Sequence, residues 1–177
     1  MSRSRAAFRL EPHPEFTREL QDLAARAVAH PRGPEDRLLR VTLNRLQGIQ
    51  HGDWSTHQLD YMPSYPDLSD CETTYVGADP NSKPSHRIVW RERSRPDPDG
   101  TPVRQIIALG ERAYGQAYHL AGARLGRPVG ITLEELRAMD EPISRAPRNE
   151  KSRRHPAYAP SIPIEYSADE QHSEYGN

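Results

Sequence analysis

In Arg104–Tyr118, RQIIALGERAYGQAY, an apolar run stops at Gly110, Arg112 follows, and Tyr114 and Tyr118 stand four residues apart. A second run, His86–Glu92, reads HRIVWRE and alternates. As a strand it places Ile88 and Trp90 on one face and Arg87, Val89 and Arg91 on the other. A guanidinium stays charged and forks onto oxyanions, so Arg87 and Arg112 have the chemistry of an anion clamp. Tyr118 could stack on a ring or move a proton, its acidity tuned by those cations. Tyr114, Tyr118, Ala121 and Leu125 also fall at offsets 0, 4, 7 and 11, the stripe of a packed helix. The sequence therefore leaves Tyr118 open between site and core, while Trp90 reads as core.

Charge supports an anion-facing segment. Residues 83–127 carry nine Lys or Arg against four Asp or Glu, whereas residues 53–82 carry six acidic residues and no Lys or Arg. Arg91 shares the Arg87 face of its strand and adds to that basic surface. Other chemistries lack their motifs. No Gly-rich nucleotide loop, GxSxG elbow or Walker loop occurs, and the eight histidines show no metal-ligand spacing beyond a loose His51/His57 pair in a loop. No metal or other cofactor is expected. The single cysteine, Cys71, rules out an internal disulfide and suits a reducing cytoplasm. No apolar core of a secretory leader follows MSRSRAAFRL, and no run approaches the ~20 apolar residues of a membrane helix.

The elements that must position these residues are legible in outline. With 34% hydrophobic residues and 17 prolines among 177, the folded part is expected to be shorter than the chain. Residues 6–12 form a short possible strand. Phe16, Leu20, Leu23, Ala24 and Ala27 trace one face of a helix. A break at HPRGP precedes a second helix with Leu39, Leu43 and Leu46 on one face and Gly48 or Gly52 as its stop. Residues 53–70 read as loop. Strands are expected at 71–78, 85–92 and 102–110, the last two joined as an antiparallel hairpin through the turn-rich RSRPDPDGT. A helix from about 113 to 125 follows, then a capping box, Thr132 with Glu135, that starts a short helical extension within 128–144. Residues 145–177 are expected to be a disordered tail. The order predicts an α+β fold, a small antiparallel-rich curved sheet with a helical hairpin on one face and the other face free to expose Arg87 and Arg91.

The run SHRIVWRE … RQIIALGERAYGQAYHLAGARLG resembles the C-terminal half of the RelE/ParE family of type II toxin–antitoxin toxins. The shared features are a basic strand, a hairpin, an apolar strand ending in Gly-x-Arg, and a helix with tyrosine six residues after that arginine. The matching residues are Arg87, Gly110, Arg112 and Tyr118, and DLSDCETTYVG is similar to the family's middle strand. The likeness spans about residues 6–127. It implies a metal-independent, ribosome-dependent mRNA endoribonuclease in which a 2′-hydroxyl attacks the adjacent phosphate. Arg87, Arg112 and Tyr118 would be its catalytic residues, and Lys83, His86 and Arg91 would touch RNA. A cognate antitoxin, the ribosome and mRNA would be the partners. The family's ribonucleases carry lysines on the middle strand, where this chain has Glu72, Thr73 and Tyr75. His86 or His119 would then have to serve in proton transfer. The alternatives are a ParE-like inhibitor of DNA gyrase, or a family member that only binds a partner protein.

Overall fold

The computed structural model describes residues 8–52, 56–79 and 81–140. The expected tail, 145–177, lies outside the described residues. Five strands form one mixed sheet: β1 (Arg9–Pro12), β2 (His57–Gln58), β3 (Glu72–Val76), β4 (His86–Glu92) and β5 (Val103–Glu111). Their order is β1-β5-β4-β3-β2. The fold is α+β. Strands β2 to β5 pair antiparallel with their neighbours, and β1 runs parallel to β5, with Arg9 opposite Val103. The two-residue β2 lies inside the segment expected to be loop throughout. Among the described residues, no helix is long and apolar enough to cross a membrane.

Helices α1 (Pro14–Ala29) and α2 (Pro34–His51) form the expected hairpin, and Gly52 ends α2 in the left-handed conformation at φ 71°. They bury Phe16, Leu23 and Ile49 against Val76, Ile88, Trp90, Ile106 and Leu109 of the sheet. Side chains of this kind contribute about 1.5–3 kcal/mol each when fully buried. The Trp90 indole donates to Thr74 Oγ1 at 3.0 Å, so its one polar atom is satisfied inside the core. Of the expected leucine stripe of α2, Leu39 and Leu46 pack against this core. Thr42 and Ile49 are buried, whereas Leu43 is exposed. Arg104 spans this layer's edge, its guanidinium over the rings of Phe8 and Trp90 and its Nη1 donating to the Ile49 carbonyl at 2.5 Å.

The opposite face is covered where the sequence left it free. Helix α3 (Gln116–Arg124) lays Ala117 and Ala121 over Val89, Ile107 and Ala108, and the segment before β3 adds Leu68 and Cys71. Small residues make this approach possible. A Cβ at Gly110 would stand 2.8 Å from the Ala117 Cα and 2.9 Å from its nitrogen, and one at Gly122 would stand 2.2 Å from the Pro66 ring. Only four residues of β5 have a partner in β1. Just past them, Arg124 Nη1 donates to the Ile107 carbonyl at 2.9 Å while its guanidinium pairs with Glu19 of α1. One side chain thus closes the open edge of β5 and ties α3 to the helical hairpin.

A second arginine holds the loop segment. Arg127, 9% exposed, donates to Asp70 through both terminal nitrogens at 2.5 and 2.7 Å and to the Asp67 carbonyl at 3.0 Å. Asp67 also accepts the Leu133 amide at 2.9 Å, and Thr132 and Glu135 form the anticipated capping box at the start of α4 (Leu133–Asp140). Burial alone would raise the Asp70 carboxyl, but its hydrogen bonds and charge pairing with Arg127 override that and hold it at about 2. The neighbouring Cys71 thiol, fully buried, is pushed up to about 12 by burial and by Asp70.

Two outcomes test this packing. Gly110→Ala should lower stability by about 1–3 kcal/mol, because the added methyl meets backbone that cannot rotate away; urea midpoints measure it. Asp70, depressed from 3.8 to about 2, contributes stability that is complete above pH ~4 and lost as the pH falls towards 2. For a carboxylate one-third exposed this is about 1–2 kcal/mol after solvent screening. Asp70→Asn should flatten that part of the stability–pH curve between pH 2 and 4.

Candidate functional site

The site is built on one rung of the sheet. Arg87 of β4 lies opposite Tyr75 of β3 on one side and Gly110 of β5 on the other. The missing side chain at Gly110 admits Ala117, and the next residue of α3 is Tyr118. As a result the Arg87 guanidinium stands 4.7 Å from the Tyr118 ring centroid and 5.5 Å from that of Tyr75. Arg87 Nε is buried and has no hydrogen-bond partner. Among the described residues, no carboxylate lies within ion-pair distance of it. Two aromatic faces stabilise the cation by about 0.5–2 kcal/mol each but accept no N–H in the plane of the guanidinium. Its terminal nitrogens, Nη1 and Nη2, which make no hydrogen bond among the described residues, are the donors left for an outside acceptor.

Beside this sandwich opens a cleft of about 250 Å³, lined by His57, Gln58, Leu59, Asp60, Met62, Tyr65, Pro66, Leu68, Thr73, Tyr75 and Tyr118. Its rings are ordered against one another. Tyr65 meets Tyr118 edge-on at 5.7 Å and His119 at 5.1 Å, and His57 lies 5.3 Å from Tyr75. Burial pushes the Tyr118 phenol above its ordinary value, with the Arg87 cation opposing. Tyr118 is therefore a neutral hydroxyl at pH 7, equipped to donate a proton rather than to take one.

The expected site residues divide. Arg87 and Tyr118 come together, and Tyr118 is half-buried in the cleft wall rather than sealed in the core. Arg112 follows the end of β5, its amide donating to the Ser85 carbonyl at 2.7 Å. That puts its backbone two residues, about 7 Å along a strand, from Arg87. Its side chain is exposed and makes no ion pair among the described residues. Lys83 is exposed in the loop before β4 and nothing draws it toward Arg87.

Arg91 shares the Arg87 face but is already engaged. It donates to Gln105 at 2.9 Å and to Asp70 at 3.3 Å, a carboxylate whose two oxygens Arg127 already holds, so the expected exposed cation is tethered and only partly compensated. His86 projects to the other face, with Ile88 and Trp90, beside Leu23 and Leu38 of the helical hairpin. Burial lowers its pKa, and an imidazole there cannot serve the Arg87 cluster. Tyr114 is not part of the helical stripe: the chain makes a short 3-10 turn over Ala113–Gly115, with Tyr114 at φ 53° and 95% exposed, before α3 begins.

Tyr65, Tyr75, His57 and Asp60 were not singled out as site residues from sequence. Tyr75 carried a signal, since it alternates with Thr73 on β3 and so shares a face with Arg87. Tyr65 and Asp60 lie in irregular chain, where periodicity says nothing about direction. Among the described residues no cluster of three or more His, Cys, Asp or Glu could hold a metal ion. Compared with protein-family models, curated proteins and solved structures, the chain matches none of them.

The electrostatic coupling in the site has a measurable sign. Removing the cation in Arg87→Met should move the Tyr118 titration to higher pH, because Arg87 is what opposes burial. The phenol carbon resonance of Tyr118 followed by NMR through the alkaline range reads this directly, and an unchanged or lower titration would contradict the stacked geometry.

Proposed function

We propose that this chain is a cytoplasmic toxin of the RelE/ParE type that cleaves mRNA on the ribosome and is held inactive by a cognate antitoxin. The observation that carries the reading is Arg87: a half-buried guanidinium between two tyrosines, with Nε unsatisfied and no carboxylate beside it. Phosphate is the acceptor whose oxygens match that fork. In the reaction the ribose 2′-oxygen forms a bond to the adjacent phosphorus and the bond from phosphorus to the 5′-oxygen breaks, leaving a 2′,3′-cyclic phosphate and a 5′-hydroxyl. Arg87 and Arg112 neutralise the charge that builds on the phosphoryl oxygens. Tyr118, protonated at neutral pH, supplies the proton to the departing 5′-oxygen. His119, packed on Tyr65, would take the 2′-hydroxyl proton.

One observation favours a second reading. On β3, Thr73 and Tyr75 stand where the family's ribonucleases have lysines, which suits a ParE-like protein that inhibits DNA gyrase by contact alone. Primer-extension mapping of transcripts after induced expression separates the two. Breaks within codons are expected, reduced about 100-fold by Arg87→Ala or by Arg112→Ala. Intact transcripts accompanied by DNA damage would replace the ribonuclease reading with the gyrase one. Intact transcripts and intact DNA would leave only a protein-binding module.

A further inference from the structure

The cleft beside Arg87 has a chemistry of its own. We infer that it takes a single unpaired guanine base from the RNA strand whose phosphate Arg87 holds; the inference rests on the RNA reading above and gives that site a base preference. Its volume, about 250 Å³, lies just below the roughly 300–1,000 Å³ of sites that enclose drug-sized ligands, and so suits one ring system rather than two stacked nucleotides. Three tyrosines in its wall supply faces and edges on which any base can stack.

Selectivity comes from Asp60. It lines the cleft, and among the described residues it has no hydrogen bond and no ion pair. Of the other polar side chains of the wall, the Gln58 amide donates to the Ser69 carbonyl at 3.1 Å and His57 packs on Tyr75, while Thr73 Oγ1 is buried without a hydrogen-bond partner but carries no charge. A carboxylate is an acceptor with two adjacent oxygens. Guanine alone among the four RNA bases offers two neighbouring donors, N1–H and the 2-amino group, that such a pair accepts together. Adenine presents a bare N1 in that place, uracil a lone N–H flanked by carbonyls, and cytosine one amino group beside an acceptor. A cationic side chain from a protein would also satisfy Asp60, but it would enter against the charge of Arg87, which stands beside Tyr75 and Tyr118 of the same wall. A neutral ring carrying donors at one end and a phosphate at the other matches both charges.

The test uses the full chain without ribosomes and three labelled pentaribonucleotides, UUGUU, UUAUU and UUIUU, where inosine keeps N1–H and lacks the 2-amino group. Fluorescence anisotropy should show UUGUU binding about tenfold or more tightly than UUAUU, with UUIUU between them. Asp60→Asn, an exposed position where folding is not at stake, should bring all three to within about twofold. Arg87→Ala should weaken all three alike. Equal binding of the three by the unaltered chain, a preference that survives Asp60→Asn, or displacement of UUGUU by a lysine-containing peptide at lower concentration than by guanosine monophosphate would each overturn the inference. Guanine preference without ribosomal cleavage would uphold it and remove the ribonuclease reading. Cleavage without guanine preference would do the reverse.

Discussion

The contact between Gly110 and Ala117 governs this molecule. A strand and a helix can meet backbone to backbone only where both side chains are almost absent, and here a single Cβ would already collide. From that contact α3 takes its height above the sheet, and with it the position of Tyr118 over Arg87. The same closeness leaves no thickness for large residues between α3 and β5, which is why that layer is alanine-rich while the other layer holds Phe16, Ile49 and Trp90.

The arginines show how the molecule separates structure from chemistry. Arg104 is tied to the end of α2, Arg124 to Glu19 and the edge of β5, and Arg91 and Arg127 to Asp70. Each supplies hydrogen bonds where backbone or carboxylate would otherwise lack them. Arg87 is flanked instead by rings. Stacking fixes a guanidinium without consuming its donors, so the group is immobilised and still available. That is the preorganisation an electrostatic site requires, because little reorganisation remains when an anion arrives.

What could be read in advance followed from periodicity. The helical hairpin, the β4–β5 hairpin, Trp90 in the core and the capping box at Thr132 each have a local pattern that burial enforces. The α+β class followed from their order. Direction in irregular chain had no such signal. Asp70 meets both Arg91 and Arg127 because the segment 63–71 packs against the residues after α3, a long-range contact that no spacing within either segment announces. His86 stands apart from the Arg87 cluster for a different reason. It alternates with Arg87 on the same strand, so counting along β4 already put it on the opposite face, and only its proximity in sequence suggested a shared site. Tyr114 fitted a helical stripe numerically, yet the left-handed pair Tyr114–Gly115 breaks the helix before that stripe begins.

The parallel pairing of β1 with β5 carries a kinetic consequence. Arg9, near the start of the described chain, finds its partner only at Val103. Pairings this distant in sequence close late and slowly, since chain entropy must be lost before the contact rewards it. During synthesis the helical hairpin can form early, but the sheet stays incomplete until β5 has emerged, and Arg87 has no ring above it until α3 follows. In a nascent chain Arg87 therefore meets the Tyr118 ring only after β4, β5 and α3 have all emerged.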